Sequence, residues 1–258
     1  MAEVNGKALA VELQGSGDAV VMVHGLGGTT NTYGPQAGPL SRFFTVLRFD
    51  LPGSGRSPLA GPLSIPGFAD DVVALMQANG IARAHLVGHP MGTIVCQHVA
   101  ARHPDKVASL VLLGPAAELP EAGRTAMRDR AGKARAEGMR PVADALLQVA
   151  ISAETRAHQP AVVALVRELL MGQSPEGYAQ TAEALAAARA ADLSAIACPT
   201  LLLTGDEDGV APPPAVRRLA DAIAGAEFRV FSGCGHWTPL ERPREVTEAM
   251  LEFYLRRR

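Results

Sequence analysis

Four short stretches of the chain carry residues whose chemistry could be combined at one site. Val23-His24-Gly25-Leu26-Gly27-Gly28 is a glycine-rich turn directly after an apolar run. Glycines there let backbone N–H groups come close to a ligand oxygen. No Gly-Lys-Ser/Thr follows, and the spacing is not Gly-x-Gly-x-x-Gly, so neither phosphate-loop nor dinucleotide chemistry is indicated. His85-Leu86-Val87-Gly88-His89-Pro90-Met91-Gly92-Thr93 has the frame G-x-x-x-G, in which the central residue of a sharp strand-to-helix turn can present a nucleophile. Thr204-Gly205-Asp206-Glu207-Asp208 is an acidic turn, and Gly233-Cys234-Gly235-His236-Trp237 holds a histidine in a glycine-flanked loop. A histidine oriented by a carboxylate is a general base, and the order elbow, acid, histidine is one in which such a base serves a nucleophile.

The elements needed to position these stretches can be read from hydrophobic periodicity. Ala8–Leu13, Ala19–Val23, Phe43–Phe49, Ala84–Val87, Val107–Leu113, Thr200–Thr204 and Glu227–Phe231 read as strands, with Asn5-Gly6 as a hairpin turn before the first. Between them, Phe68, Val72, Leu75 and Met76 give a helical period over Ile65–Ala78, capped by Ser64 with Pro66 in its first turn. Further helices are expected at Met91–Arg102, near Ala215–Ala224 and from Pro243 onward. This alternation predicts a mostly parallel, eight-stranded sheet with helices on both faces, and all four stretches then fall at the carboxyl ends of strands. Residues 116–192 break the rhythm: rich in Ala, Arg and Glu, they contain helical runs such as Val162–Leu170 and Thr181–Ala190 and no strand. They read as a helical cap inserted into a core of residues 1–115 and 193–258. Arg124, Arg128, Asp129, Arg130, Lys133, Arg135 and Arg140 read as its solvated face, with anion binding as the alternative.

Composition narrows the function. The 258 residues carry a net charge of −2 and are 48% hydrophobic, so a large core is available and nucleic acid or an anionic membrane is not an expected partner. No signal peptide and no apolar run of membrane-spanning length is visible. Cys96, Cys198 and Cys234 fit neither a disulfide framework nor a metal site, which predicts a reducing, cytoplasmic location and no metal or cofactor. With only 4% aromatic residues, an aliphatic pocket for a small molecule is expected, and a homo-oligomer is left open.

From residue 4 onward the chain resembles the α/β-hydrolase fold. It is most similar in its motifs to 3-oxoadipate enol-lactonases, esterases and non-haem haloperoxidases. The matching pieces are His24-Gly25-Leu26-Gly27-Gly28, Asp50-Leu51-Pro52-Gly53-Ser54-Gly55-Arg56-Ser57, Gly88-His89-x-Met91-Gly92, Gly205-x-x-Asp208 and Gly235-His236. The resemblance implies His236 as general base, Asp208 as its orienting acid (Asp206 and Glu207 being local rivals), and the backbone N–H groups of Leu26 and Met91 as an oxyanion hole. Gly25 and Trp237 would be substrate-binding, Asp50 a structural turn residue, and the substrate a small carboxylic ester or (enol-)lactone.

The departure is Pro90, which stands where the family has a serine, or in some branches an aspartate or cysteine. Proline offers no nucleophilic atom, and its φ is locked near −65°, so the strained elbow should relax. The leading expectation is a hydrolase whose serine has been replaced, by engineering or by the one-base change that converts UCN codons to CCN, leaving this chain inactive or strongly impaired. Two alternatives remain: a lyase or oxygenase that uses the His236–Asp208 base without a nucleophile, and a non-catalytic small-molecule binder. Cys96, inside the following helix, and Cys234 are poor substitutes for the missing serine.

Overall fold

The computed structural model describes residues 1–256. Its central sheet has strand order β3-β5-β4-β6-β7-β8-β9, formed by β3 (Val11–Gln14), β4 (Ala19–Val23), β5 (Thr45–Phe49), β6 (Ala84–Gly88), β7 (Val107–Leu113), β8 (Thr200–Gly205) and β9 (Glu227–Phe231). All neighbours are parallel except β3, which runs antiparallel to β5 at the edge. The sheet therefore has seven strands rather than the expected eight. The run Ala8–Leu13 divides at Ala10, whose N–H donates to Ser57 Oγ at 2.9 Å and whose carbonyl accepts from Asp50 N–H at 2.9 Å. Before this break, β2 (Lys7–Leu9) pairs only with β1 (Ala2–Val4), through the expected Asn5-Gly6 turn. Both turn residues have positive φ, 50° and 72°. This hairpin docks on the buried Asp71 carboxylate, which accepts from Asn5 Nδ2 at 2.9 Å and Lys7 Nζ at 2.7 Å.

Alternation of side chains along the buried strands divides the core in two. Val21, Val23, Leu86, Leu110 and Leu112 pack against α2 (Ile65–Ala78), α3 (Met91–Arg102) and α9 (Pro213–Asp221). Val20, Met22, Val87, Val111 and Leu113 pack against α1 (Gly34–Ser41) and α11 (Pro243–Leu255). Helix α2 starts as expected: Ser64 Oγ accepts from Gly67 N–H at 3.1 Å, and Pro66 occupies the first turn. Strand β5 begins two residues later than predicted, because the N–H groups of Phe43 and Phe44 both donate to Leu40 O and close α1.

Between β7 and β8 lie five helices and no strand: α4 (Glu121–Glu137), α5 (Met139–Val149), α6 (Ala153–His158), α7 (Pro160–Met171) and α8 (Pro175–Ala187). Helix α8 starts six residues before the predicted run because Ser174 caps it and Pro175 fits its first turn. These helices share an apolar cluster that reaches Trp237 and Leu240 of the core. A short helix, α10 (Thr238–Glu241), precedes α11. Among the described residues no helix is long and apolar enough to cross a membrane.

One of the closest backbone approaches in the fold is that of α3 to the end of β4. A Cβ built on Gly92 would lie 2.1 Å from Val23 O and 2.9 Å from His24 O. Gly92→Ala should therefore cost about 3 kcal/mol or more, because backbone, not a flexible side chain, blocks the methyl group. Urea unfolding measures this, and a midpoint equal to that of the parent chain would contradict so close an approach.

Candidate active site

The site lies at the carboxyl ends of the strands, where β4, β6, β8 and β9 each deliver one of the four stretches. After β6 the chain turns directly into α3. Pro90 sits at the N-cap of that helix with φ −61° and ψ −46°, so the turn is relaxed, as proline requires. Gly88 and Gly92 allow the turn to be this sharp: a Cβ on Gly88 would lie 2.5 Å from Gly92 O. Gly25 is pressed against the same turn. A Cβ there would be 2.5 Å from both Pro90 Cδ and His89 O, so Gly25 serves close packing and is not part of the cavity wall.

Beyond β8, Asp208 turns back toward β9. Its Oδ1 accepts from the N–H groups of Val210 and Ala211, both at 2.8 Å. His236 Nδ1 lies 2.8 Å from Oδ2 and 3.0 Å from Oδ1. Burial alone would raise the Asp208 carboxyl, but the facing His236, with its charge and hydrogen bond, and the two backbone donors outweigh it and hold the group at about 2. An ionised carboxylate only accepts, so Nδ1 carries the proton and Nε2 is left as the basic nitrogen. The two rival acids are engaged elsewhere: Asp206 with Ser232 Oγ and Cys234 N–H, Glu207 with Ala153 N–H at 2.7 Å.

Two supporting residues escape sequence reasoning. Gly114, with φ +58°, follows β7 so closely beneath the pair that a Cβ would stand 3.2 Å from His236 Nδ1 and 3.3 Å from Asp208 Oδ2. The Gly-Pro pair after an apolar strand is a signal for a turn, though not for this contact. The buried Glu241 carboxylate accepts from Ser152 N–H at 2.9 Å and from Gly235 N–H and Trp237 N–H, both at 3.1 Å, and so fixes the residues on either side of His236. Nothing in its local sequence distinguishes it from a surface glutamate of a short helix.

The remaining histidines near the site are neutral. His24 donates from Nδ1 to Gly25 O and accepts at Nε2 from Leu51 N–H; burial lowers its pKa. His89 donates from Nε2 to His236 O at 2.8 Å, and its Nδ1 is buried without a partner. Burial, and then the neighbouring His236, push it down to about 3. Asp50, expected to be a turn residue, accepts from Thr30 N–H at 2.7 Å and from Arg56 N–H at 3.0 Å, which is that role. Burial raises the pKa of both Cys96 and Cys234, which makes neither a thiolate nucleophile.

Leu26, Pro90, Met91, His236 and Trp237 line one cavity of about 130 Å³, roofed by side chains of α4, α5 and α8. Its wall is mostly apolar, and the Trp237 ring lies 5.4 Å from that of His89, tilted by 50°. The arrangement can hold a small apolar molecule against a basic imidazole nitrogen. It supplies no hydroxyl or thiol at residue 90.

Residues 18–243 match the family described as alpha/beta hydrolase fold. The chain is 31% identical over 252 residues to a pimeloyl-[acyl-carrier protein] methyl ester esterase of Chromobacterium violaceum, covering 95% of this chain and 97% of that one. Among solved structures, the enol-lactonase of Burkholderia xenovorans LB400 superposes with a TM-score of 0.93 at 34% identity, over 98% of this chain and 99% of the other. A thermophilic esterase from Thermogutta terrifontis, with malate bound, gives 0.92 at 30% identity, over 97% and 93%.

The Asp208 geometry fixes the sign of an acid effect. Its pKa in the folded chain, about 2, lies below the usual 3.8, so the unfolded chain binds more protons in that range. The stability it adds is whole above about pH 4 and fades as the pH falls toward about 2, a swing of roughly 2 kcal/mol. Urea unfolding of Asp208→Asn should thus show its largest deficit against the parent near neutral pH and a much smaller one at about pH 2.5. A deficit that does not change with pH would contradict the pairing.

Proposed function

This chain belongs to the α/β-hydrolase family, and we propose that its cavity is built for a small carboxylic ester or lactone, with Pro90 in the nucleophile position abolishing or strongly impairing turnover. The observation that carries this reading is the His236–Asp208 pair at 2.8 Å, assembled beside residue 90 on the wall of an apolar cavity. In the acyl transfer this site is shaped for, a hydroxyl at residue 90 would attack the carbonyl carbon and pass its proton to His236 Nε2. The imidazolium so formed would be stabilised by Asp208, and the oxyanion would be received by the N–H groups of Leu26 and Met91. The leaving alcohol would then take the proton from His236, and water, deprotonated by the same nitrogen, would release the acid.

Helices α4–α8 act in this reading as a cap, residues 116–192, over a core of residues 1–115 and 193–258. The enol-lactonase and esterase neighbours support the substrate class, and three free cysteines support a reducing, cytoplasmic setting. No cofactor is called for. The intact base beside Pro90 also favours a second reading, in which His236 removes a proton from substrate or water with no covalent step.

Pro90→Ser separates the two. The serine variant should gain hydrolysis of a short-chain aryl ester by about 10³-fold or more over the parent chain, together with labelling by a fluorophosphonate. Adding His236→Ala should remove that gain. A Pro90→Ser protein that folds but neither hydrolyses nor labels would overturn the first reading. An activity that needs His236 with Pro90 in place would establish the second.

A further inference from the structure

At the end of the sheet opposite His236, two polar side chains interrupt strands that are otherwise apolar. Ser109 is the one polar residue of β7, and His85 is its register partner on β6. Ser109 Oγ and His85 Nδ1 lie 2.8 Å apart. Neither belongs to the site described above. Along the chain His85 and His89 are four positions apart, about 13 Å at the rise of an extended strand.

Both side chains line a cavity of about 520 Å³ at the amino ends of β4, β6 and β7, against about 130 Å³ for the cavity beside His236. The rest of its wall is made of small side chains, Ala108 among them, and of Tyr254 from α11, with Arg83 and Asp18 at the exposed rim. Tyr254 supplies an independent observation. It is 1% exposed, its ring packs 4.5 Å from that of His85, and its hydroxyl is buried without a hydrogen-bond partner among the described residues. Such a hydroxyl is costly to leave unpaired. Arg83 likewise forms no ion pair among the described residues. If His85 Nδ1–H donates to Ser109 Oγ, the serine hydroxyl hydrogen can turn into the cavity as a third donor.

We propose that this cavity is a second ligand site, and that it takes a small organic anion whose carboxylate or phosphate accepts from Arg83, the Tyr254 hydroxyl and Ser109 Oγ. The guanidinium fork matches either oxyanion. The cavity has the size of sites that enclose a whole small molecule, roughly 300–1,000 Å³, so the anion carries an organic body. The neighbouring rings of His85 and Tyr254 favour a flat one. The inference does not depend on the ester reading of the other cavity.

Isothermal titration of the chain with benzoate and with phenyl phosphate, each beside neutral benzamide, tests this. At least one of the two anions should bind at one site per chain, about tenfold or more tightly than benzamide. Arg83→Gln, at the exposed rim, should reduce that preference to within about threefold, and Arg83→Lys should keep part of it. Ala108→Phe fills the cavity without removing a polar group and should abolish binding. Tyr254→Phe gives a split that a merely structural tyrosine would not. Without anion its urea midpoint should match or exceed that of the parent, because the lost hydroxyl had no partner, whereas affinity for the anion should fall by up to about tenfold. Circular dichroism confirms that each variant is folded. Equal affinity for benzamide and both anions, binding of none of the three, or a preference that survives Arg83→Gln or Ala108→Phe would each overturn the proposal. A lowered midpoint for Tyr254→Phe with anion affinity intact would overturn it as well.

Discussion

The approach of α3 to the end of β4, glycine against carbonyl, is the constraint from which the site follows. Backbone atoms of Val23 and His24 occupy the space that any side chain on Gly92 would need, and Gly88 in turn has no room for a side chain against Gly92. The carboxyl ends of β4 and β6 are thereby brought into contact, and Leu26 and Met91, on separate loops, come to face one cavity. Pro90 sits at the N-terminus of α3 with φ −61°, where proline is held, so the turn carries no backbone strain.

On the opposite wall, carboxylates do the positioning. Three acids stand in a row at 206–208, and each binds a different part of the chain. Asp206 closes onto the loop after β9, Glu207 reaches Ala153, and Asp208 holds His236. Glu241 completes the arrangement by binding three backbone donors around the histidine loop. A buried carboxylate satisfied by fixed N–H groups resists reorientation far better than one facing a flexible cation. The imidazole is thus held from behind by carboxylates that do not line the cavity, and the His236–Asp208 pair is formed with proline at residue 90.

Much of this is legible in the sequence because it is local. The bounds of α2, α3, β7 and β9 follow from periodicity, capping and the apolar runs themselves. The pairing of His236 with the third acid of the turn follows from the spacing of a family motif. What cannot be read there depends on contacts between distant segments. The division of the first strand run at Ala10 is imposed by Ser57 and Asp50, some forty residues away. The service of Gly114 beneath the acid–base pair requires β7 and β8 to be neighbours, and that of Glu241 requires α6 to fold over the histidine loop. The arginines of α4, expected on a solvated face, are hidden for the same reason. Arg124 is buried and donates to the carbonyls of Ala186 and Ala188, Arg135 bonds Glu176 and Glu183, and Arg130 lines the cavity beside His236. A charge pattern on one helix gives no sign of which arginines find a carboxylate in α8 and which face a cavity.

The ties that steady the histidine loop also fasten the helical roof to the strand ends. Ala150 O receives His236 N–H, Ser152 N–H is held by Glu241, and Ala153 N–H by Glu207, so residues 150–153 are stitched to the core along one edge. A second seam joins Gln173 to the carbonyls of Gly27 and Gly28, and α8 rests on Gly53 so closely that Gly177 has no room for a methyl group. The junction of α4 with α5 has no such hydrogen-bonded tie to the strand ends among the described residues, and beside it Arg130 and Leu146 line both the cavity and an outer groove of about 270 Å³.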